Sequence, residues 1–351
     1  MINTHNVDIE DDKALLQKMI VTQKKVPLIY QPGPFWFKKT KISHNELLNR
    51  GIKNFRSMDN NATQSYGDAL LLDATVQYNG VKSVLAKIAK KIFPFSKFLS
   101  AQKQLTRVYI KKLIEAESSA LNSSERVRYL VEKYRISEGQ LLGDVDRKSI
   151  VYGEMRSHHF IYMLDLFDRM IEKITIVDGS KYMEIGGGFG VNVFLMAQNF
   201  PQIKKYIYVD IAPNLYVGTQ FLKANFGKSV KDFSKYESQS TINFTDDNKL
   251  EIICLLPHQT KYIASEIDIF HNANSFVEMP KEVVSNYAFI VSKILSDEGV
   301  VLLSSYGNFN LSSTFDPDEL CDFFDCPFIK YRKNLILASE EQRFYVGKKN
   351  N

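Results

Sequence analysis

The stretch KYMEIGGGFGVNVFLMA, residues 181–197, carries the strongest chemical signal in the chain. An apolar run containing Glu184 passes into Gly186, Gly187, Gly188 and Gly190, and an apolar helical pattern opens directly after them. Glycine suits such a strand-to-helix turn because it permits positive φ and lets a ligand approach the backbone without meeting a Cβ. Two phosphate-binding loops are excluded by position. A G-x-G-x-x-G starting at Gly186 needs a small residue where Val191 stands, and one starting at Gly188 needs it where Val193 stands. A P-loop needs Lys-Ser/Thr after its last glycine, but Val191 and Asn192 follow Gly190. The triplet Gly227-Lys228-Ser229 has the right ending, yet Leu222 occupies the place of the first glycine. The pattern that fits is acid-x-Gly-x-Gly-x-Gly, from Glu184 through Gly186 and Gly188 to Gly190.

Asp210 ends the next apolar run, KKYIYVD, where an acid can accept hydrogen bonds from both hydroxyls of a ribose. Together with the glycine loop it resembles class I S-adenosylmethionine-dependent methyltransferases. That resemblance implies S-adenosylmethionine as cofactor. It places Glu184 near the cofactor's amino group, Gly186, Gly187, Gly188 and Gly190 along its backbone-lined edge, and Asp210 with Ile211 at the ribose. Pro257 and His258, after the third strand, fall where the family contacts adenine, and Asn272 falls near the methionine part. The segments FWFKK…GIKNFR (35–56), YGEMRSHHF (152–160), LLPHQ (255–259) and IDIFHNANSFVEM (267–279) resemble a bacterial group assigned to sugar O-methyl transfer, over about residues 30–350. His271 departs from that pattern, since an aliphatic residue is expected at its place in many relatives.

Methyl transfer to oxygen is an in-line displacement that asks the protein for alignment in a dry pocket, and a sugar hydroxyl also benefits from a general base. His271, read as the end of the fourth strand beside the methyl position, is the first choice for that base. Glu278 and His258 are the other catalytic candidates. Arg156 and His159, three residues apart on an expected helix, would share one face and could meet a carboxylate. Phe35, Trp36 and Phe37 could stack on a sugar ring. Asp268, Glu278 and the Asp246-Asp247 pair lack diagnostic spacing for a metal, and none is expected.

These residues need elements to hold them. Strands are expected at 181–185, 204–210, 251–256, 267–272, 299–305, 334–338 and 343–347, with helices at 152–174, 190–199, 213–226 and 280–295 between them. Such alternation implies crossovers, hence a mostly parallel seven-stranded Rossmann-like sheet with helices on both faces. Residues 1–150 read as a mainly helical N-terminal region that covers the acceptor site, and 151–351 as the cofactor-binding domain. Within the first region the three prolines of 27–39 argue for an extended segment, and Ser43 reads as the N-cap of a helix over 42–52. The basic stretch 81–99 reads as a helix with lysines facing water.

The bulk numbers agree with a globular enzyme: 44% hydrophobic and 24% charged residues, with 45 basic against 40 acidic. A net charge of +5 is too small to imply a nucleic-acid partner. Cys254, Cys321 and Cys326 read as reduced thiols, and no apolar run reaches 18 residues, so a cytoplasmic protein without a membrane span is expected. The functional reading is O-methylation of a sugar, nucleotide sugar or glycan. The alternatives are another small-molecule or protein acceptor, or a non-catalytic cofactor-binding protein.

Overall fold

The computed structural model describes residues 8–57, 108, 111–307, 313–338 and 340–349. The chain starts with helices α1 (Lys13–Gln23) and α2 (Pro34–Arg50), helical residues 111–123 and helix α3 (Glu125–Lys133). A hairpin of β1 (Lys148–Val151) and β2 (Glu154–Ser157) leads into α4 (His158–Ile171). Then follow β3 (Lys181–Ile185), α5 (Val191–Asn199), β4 (Lys205–Val209), α6 (Ala212–Phe226), β5 (Val230–Lys231) and β6 (Glu251–Leu255). The chain closes with β7 (Ile267–Ala273), α7 (Lys281–Ile294), β8 (Leu295–Tyr306), β9 (Phe328–Asn334) and β10 (Glu341–Lys348).

The short runs KYMEI, KYIYV and EIICL bury almost every side chain on both faces, the signature of central parallel strands. They join one eight-stranded sheet in the order β5-β6-β4-β3-β7-β8-β10-β9, parallel except for the antiparallel β8-β10-β9 edge. Alternate residues of each strand feed opposite layers. Tyr182, Tyr206, Tyr208 and Ile269 pack with α4, α5 and α6, whereas Met183, Ile207, Val209 and Phe270 pack with α7. Successive crossovers run from β3 through β4 toward β6 in one direction, while β7 and β8 extend the sheet in the other. The connection therefore reverses between β3 and β7, and the carboxyl ends of β3, β4, β6 and β7 share one edge. This is the mostly parallel Rossmann-like sheet expected from the sequence, with one strand more.

The differences have local causes. β5 is two residues long, too short to leave a pattern. The C-terminal strand placed at 334–338 lies instead at 328–334, because the sequence FIKYRKN is an edge strand whose exposed face needs no apolar run. Pro34 does not forbid helix. It is the first residue of α2, where its missing N–H has no helical partner to lose, and Gly33 caps it. Ser43 accordingly lies buried inside α2 and caps nothing. Arg156 belongs to β2 and pairs with Glu154 at 2.7 Å, so it shares no helix face with His159 in the first turn of α4. The stretch 81–99 lies outside the described residues. Among those described, no helix is long and apolar enough to cross a membrane.

The N-terminal elements are fastened to the sheet layers. Leu16 and Met19 of α1, Leu47 of α2 and Phe55 belong to the same apolar cluster as α4, α5 and α6. Gln23 accepts a hydrogen bond from Ala212 N at 2.5 Å, and Tyr216 donates to Asp11 at 2.8 Å. The helical residues 111–123 are anchored by Glu117, which accepts from Arg147 Nε at 2.6 Å and lies 2.8 Å from His158 Nδ1. Helix α3 is anchored by Asp168, which accepts from Lys133 (2.7 Å), Tyr134 (2.5 Å) and Arg126 (2.7 Å).

Burial alone would raise the Asp168 pKa, but these three donors outweigh it and hold the group below its ordinary value. A depressed carboxyl stabilises the fold above its unfolded pKa and loses that contribution as pH falls below about 4. Asp168→Asn should therefore cost about 2 kcal/mol in denaturant unfolding at pH 7, as hydrogen bonds to a charged group do. The cost should shrink at pH 3, and hydrogen exchange should rise first in 125–133; equal stability at pH 7 would contradict the anchor.

Candidate active site

Glu184 is the last but one residue of β3, and its parity turns it toward the α4–α5 layer. It is fully buried; Oε1 accepts from Asn192 Nδ2 at 2.7 Å, and Oε2 has no partner. Burial, reinforced by Asp210, raises its pKa to about 8 although Asn192 opposes the shift. A Cβ on Gly187 would stand 2.6 Å from the partnerless oxygen, so the loop backbone passes as close to it as glycine allows. Gly188, at φ +62°, has nothing within 4 Å of where its Cβ would be. The loop is stiff despite its glycines. Gly186 N donates to Val209 O at 2.8 Å, Gly190 caps α5, and the Tyr208 hydroxyl lies 2.5 Å from Gly188 O.

Asp210 follows β4 and faces this loop. Oδ2 accepts from Gly188 N at 2.8 Å, and Oδ1 accepts from Ile211 N (2.7 Å) and Asn214 Nδ2 (3.2 Å). Burial raises its pKa to about 7 against those three bonds, and the charge of Glu278 pushes the same way. A carboxylate offers about four acceptor positions, so capacity remains at Oδ2 for a hydroxyl. After β6, Pro257 is buried at the start of the turn Pro257–Tyr262, and His258 is half-buried with Nδ1 partnerless. Burial, then Lys261, lowers the His258 pKa, so the ring is neutral near pH 7.

The loop after β7 holds the other candidates. Asn272 is wholly committed to the backbone turn: Nδ2 donates to Ile185 O (2.7 Å) and Ser275 Oγ (2.6 Å), and Oδ1 accepts from Phe276 N (3.0 Å). It shapes the loop and carries no free group toward a ligand. His271 is not at the strand end, because β7 continues to Ala273. Its ring is buried, with Nδ1 2.5 Å from the Tyr182 hydroxyl and Nε2 3.1 Å from Met170 Sδ. Burial lowers its pKa to about 3. Glu278 lies in the turn Phe276–Glu278 and is buried, yet both oxygens are held. Tyr306 Oη donates to Oε1 at 2.8 Å, and Trp36 Nε1 donates to Oε2 at 2.9 Å. Burial raises its pKa to about 7 against both bonds and against Lys39.

Asp268 begins β7, at the opposite end of the strand from Glu278, and accepts from Lys181 N and Ser296 Oγ. Asp247 pairs with Lys205 at 3.0 Å. The acids weighed for a metal are thus dispersed, and no cluster of three or more metal-binding side chains occurs among the described residues. The His159 ring lies tilted, 6.0 Å from Phe189 of the glycine loop, with Nδ1 partnerless and its pKa held well below the ordinary value by burial and by Arg56 and Arg147. Phe37 is exposed, so of the three aromatics in 35–37 only Phe35 and Trp36 lie against the protein. Sequence reasoning passed over Tyr306, Asn192 and Gln23. Asn192 was legible as a polar residue in an apolar helix opening; the other two meet their partners only through the tertiary fold.

No family model and no curated protein matches the chain. Among solved structures it is similar to the pyocyanin biosynthetic protein PhzM, at 12% identity and a TM-score of 0.36, over 55% of this chain and 56% of that one. It is similar to the N-methyltransferase NodS from Bradyrhizobium japonicum WM9 in complex with S-adenosyl-L-homocysteine, at 10% identity and a TM-score of 0.39, over 54% and 86%. A methyltransferase from Pyrococcus furiosus aligns at 11% identity and a TM-score of 0.35, over 53% and 81%. The chain thus spans little more than half the length of PhzM.

Gly188→Ala separates folding from ligand access. A methyl there meets no protein atom, so the cost to the fold should be that of an alanine at positive φ, about 1–2 kcal/mol. Affinity for S-adenosylhomocysteine by calorimetry should fall at least about tenfold, which is about 1.4 kcal/mol. Unchanged affinity would mean that no ligand passes along Gly188.

Proposed function

We propose that this chain is an S-adenosylmethionine-dependent O-methyltransferase whose acceptor is a sugar, nucleotide sugar or glycan. The observation that carries the reading is Glu184 Oε2, a buried carboxylate oxygen without a partner beside Gly187. A buried polar atom left unsatisfied is costly, and an ammonium group is the ligand that best removes the cost. The residues present fit the cofactor on this test. Glu184 would hold its ammonium, Asp210 and Ile211 its ribose, Pro257 and His258 its adenine, and the open backbone at Gly188 its ribose-to-methionine span. When bound, S-adenosylmethionine supplies a methyl group already activated for displacement.

The chain's own residues do the remainder. Glu278 is the base in this reading, in preference to His271, whose two ring nitrogens are occupied in the interior. Glu278 is buried after β7, close enough to Asp210 to perturb it, and a pKa near 7 matches a general base to neutral pH. Its carboxylate would take the acceptor's hydroxyl proton as the acceptor oxygen bonds to the methyl carbon and the methyl's bond to the donor sulfur breaks, leaving S-adenosylhomocysteine as a neutral thioether. Tyr306 and Trp36 fix its orientation. Phe35 and Trp36, edge-to-face at 5.4 Å, offer an apolar surface to the faces of a sugar ring. The segment 8–57, which joins Ala212 N at one end and Glu278 at the other, serves as the cover of the acceptor site.

Two measurements test this. With pKa values raised to about 8 and about 7, Glu184 is largely protonated and Asp210 about half protonated at pH 7; an ammonium and a diol favour their ionised forms, so binding should release about one proton. Calorimetry with S-adenosylhomocysteine in buffers of different ionisation heat should show that release. Glu184→Gln should abolish most of it and weaken binding at least about tenfold. Because a raised carboxyl pKa costs stability as pH climbs toward it, Glu184→Gln should also melt higher than the parent at pH 8. Binding that is undiminished in Glu184→Gln would remove the ammonium site. Separately, a labelled methyl donor with a panel of nucleotide sugars and glycans should identify the acceptor. With it, kcat should rise with pH through about 7, and Glu278→Gln should lower kcat ~10²–10⁴-fold with little change in cofactor affinity. A Glu278→Gln enzyme of near-normal kcat would return the base to His258 or dispense with one.

A further inference from the structure

The contact between Trp36 and Glu278 spans 242 residues and unites two parts of the chain. Trp36 stands in the first turn of α2, which Pro34 starts and Gly33 caps. Gly33 sits beside the N-cap of α7, two residues past Glu278: a Cβ there would lie 3.0 Å from Pro280 Cδ, a tight contact. The indole is held edge-to-face by Phe35, with Lys39 Nζ 4.0 Å from the Phe35 ring centroid and 5.3 Å from that of Trp36. An indole N–H can only donate, and its hydrogen bond to Glu278 Oε2 strengthens when the carboxylate is charged. Tyr306 of β8 does the same at Oε1. Both oxygens are thus pinned from two sides, and one comes from outside the sheet.

We propose that Trp36 is a positioning residue for Glu278, so that the N-terminal segment sets the orientation and proton affinity of the group that takes the acceptor proton. The inference rests on the reading of Glu278 as the base for its catalytic consequence, but the coupling of Trp36 to Glu278 stands apart from it. Among the described residues, the charged or titratable groups that act on Glu278 are Tyr306 from β8, Lys39 from α2 and Asp210 from the end of β4. Trp36 itself does not titrate, so any pH response of its emission must come from these neighbours.

Trp36 is the single tryptophan of the chain, which makes its fluorescence a site-specific probe without added label. In the full-length, ligand-free protein, its emission should change with a midpoint near pH 7. The transition should vanish in Glu278→Gln and persist in Asp210→Asn. A flat profile from pH 5 to 9, or a transition that survives Glu278→Gln, overturns the coupling. Carboxyl NMR of protein labelled at glutamate Cδ gives the second readout, with the Glu278 signal identified by its loss in Glu278→Gln. Trp36→Phe keeps a ring and removes the donor, and should raise the Glu278 midpoint by about one unit. An unshifted midpoint overturns the proposal. In turnover, that shift predicts roughly a fivefold lower kcat at pH 7 that recovers by pH 9, which a merely structural lesion would not do. A shifted midpoint with kcat indifferent to Glu278→Gln would keep the positioning and discard the base.

Discussion

Carboxylates deprived of water without being given enough donors are the constraint on which this molecule turns. Two classes of buried acid occur in it. Asp168 receives Lys133, Tyr134 and Arg126, and its pKa falls below the ordinary value in spite of burial. Glu184 receives the Asn192 amide and the Val193 N–H, Asp210 three neutral donors and Glu278 two, and in each case burial wins and the pKa rises. The first is a fastening that the fold completes by itself. The other three are left short of positive charge, and they repel one another as well: Asp210 raises Glu184, and Glu278 raises Asp210. A cluster of this kind lowers stability unless something cationic or hydroxyl-rich joins it.

The sheet explains why the three meet. Parallel strands connected through α5 and α6 on one face and α7 on the other bring all their carboxyl ends to the same edge, and reversal between β3 and β7 opens a crevice there. Glu184 approaches from β3, Asp210 from β4 and Glu278 from the turn after β7. Backbone carries much of the load. Gly186 N reaches across to Val209 O, Asn272 stitches Ile185 O to the next loop, and Gly188 N holds Asp210. The loops at this edge are therefore tied to one another by these bonds, and the three acids among them are buried.

The parallel strands and the glycine loop were legible because their constraints are local. A strand buried on both faces must be an apolar run, and a tight turn at positive φ beside a carboxylate must be glycine. Residues whose role depends on the fold as a whole left no such trace. Pro34 reads as a breaker in isolation, yet at the first helical position it begins the helix that delivers Trp36 to Glu278. Edge strand β9, with Lys330, Arg332 and Lys333 facing solvent, carries no hydrophobic pattern because it has one neighbour and little burial. Asn272, expected near the cofactor, also fastens its loop, through Ile185 O of β3 and through Ser275 and Phe276 of the loop itself.

His271 and Glu278 lie on opposite sides of the end of β7, and that boundary decides how far each group is from the open edge. If β7 ended at His271, the imidazole would stand at the open edge. The strand runs on to Ala273, so His271 keeps the parity of Ile269 and points into the layer of α4, against Met170. There burial lowers its pKa to about 3 and favours the neutral ring. Its depressed pKa also means that protonation below about pH 6.5 works against the fold. Glu278 gains what His271 loses: it lies past the true end of the strand, where the loop can turn its carboxyl toward Asp210 and toward a segment arriving from the other end of the chain. A carboxyl is intrinsically a weaker base than imidazole, but burial raises this one to about 7, so the ranking by residue type inverts once each group is placed in its surroundings.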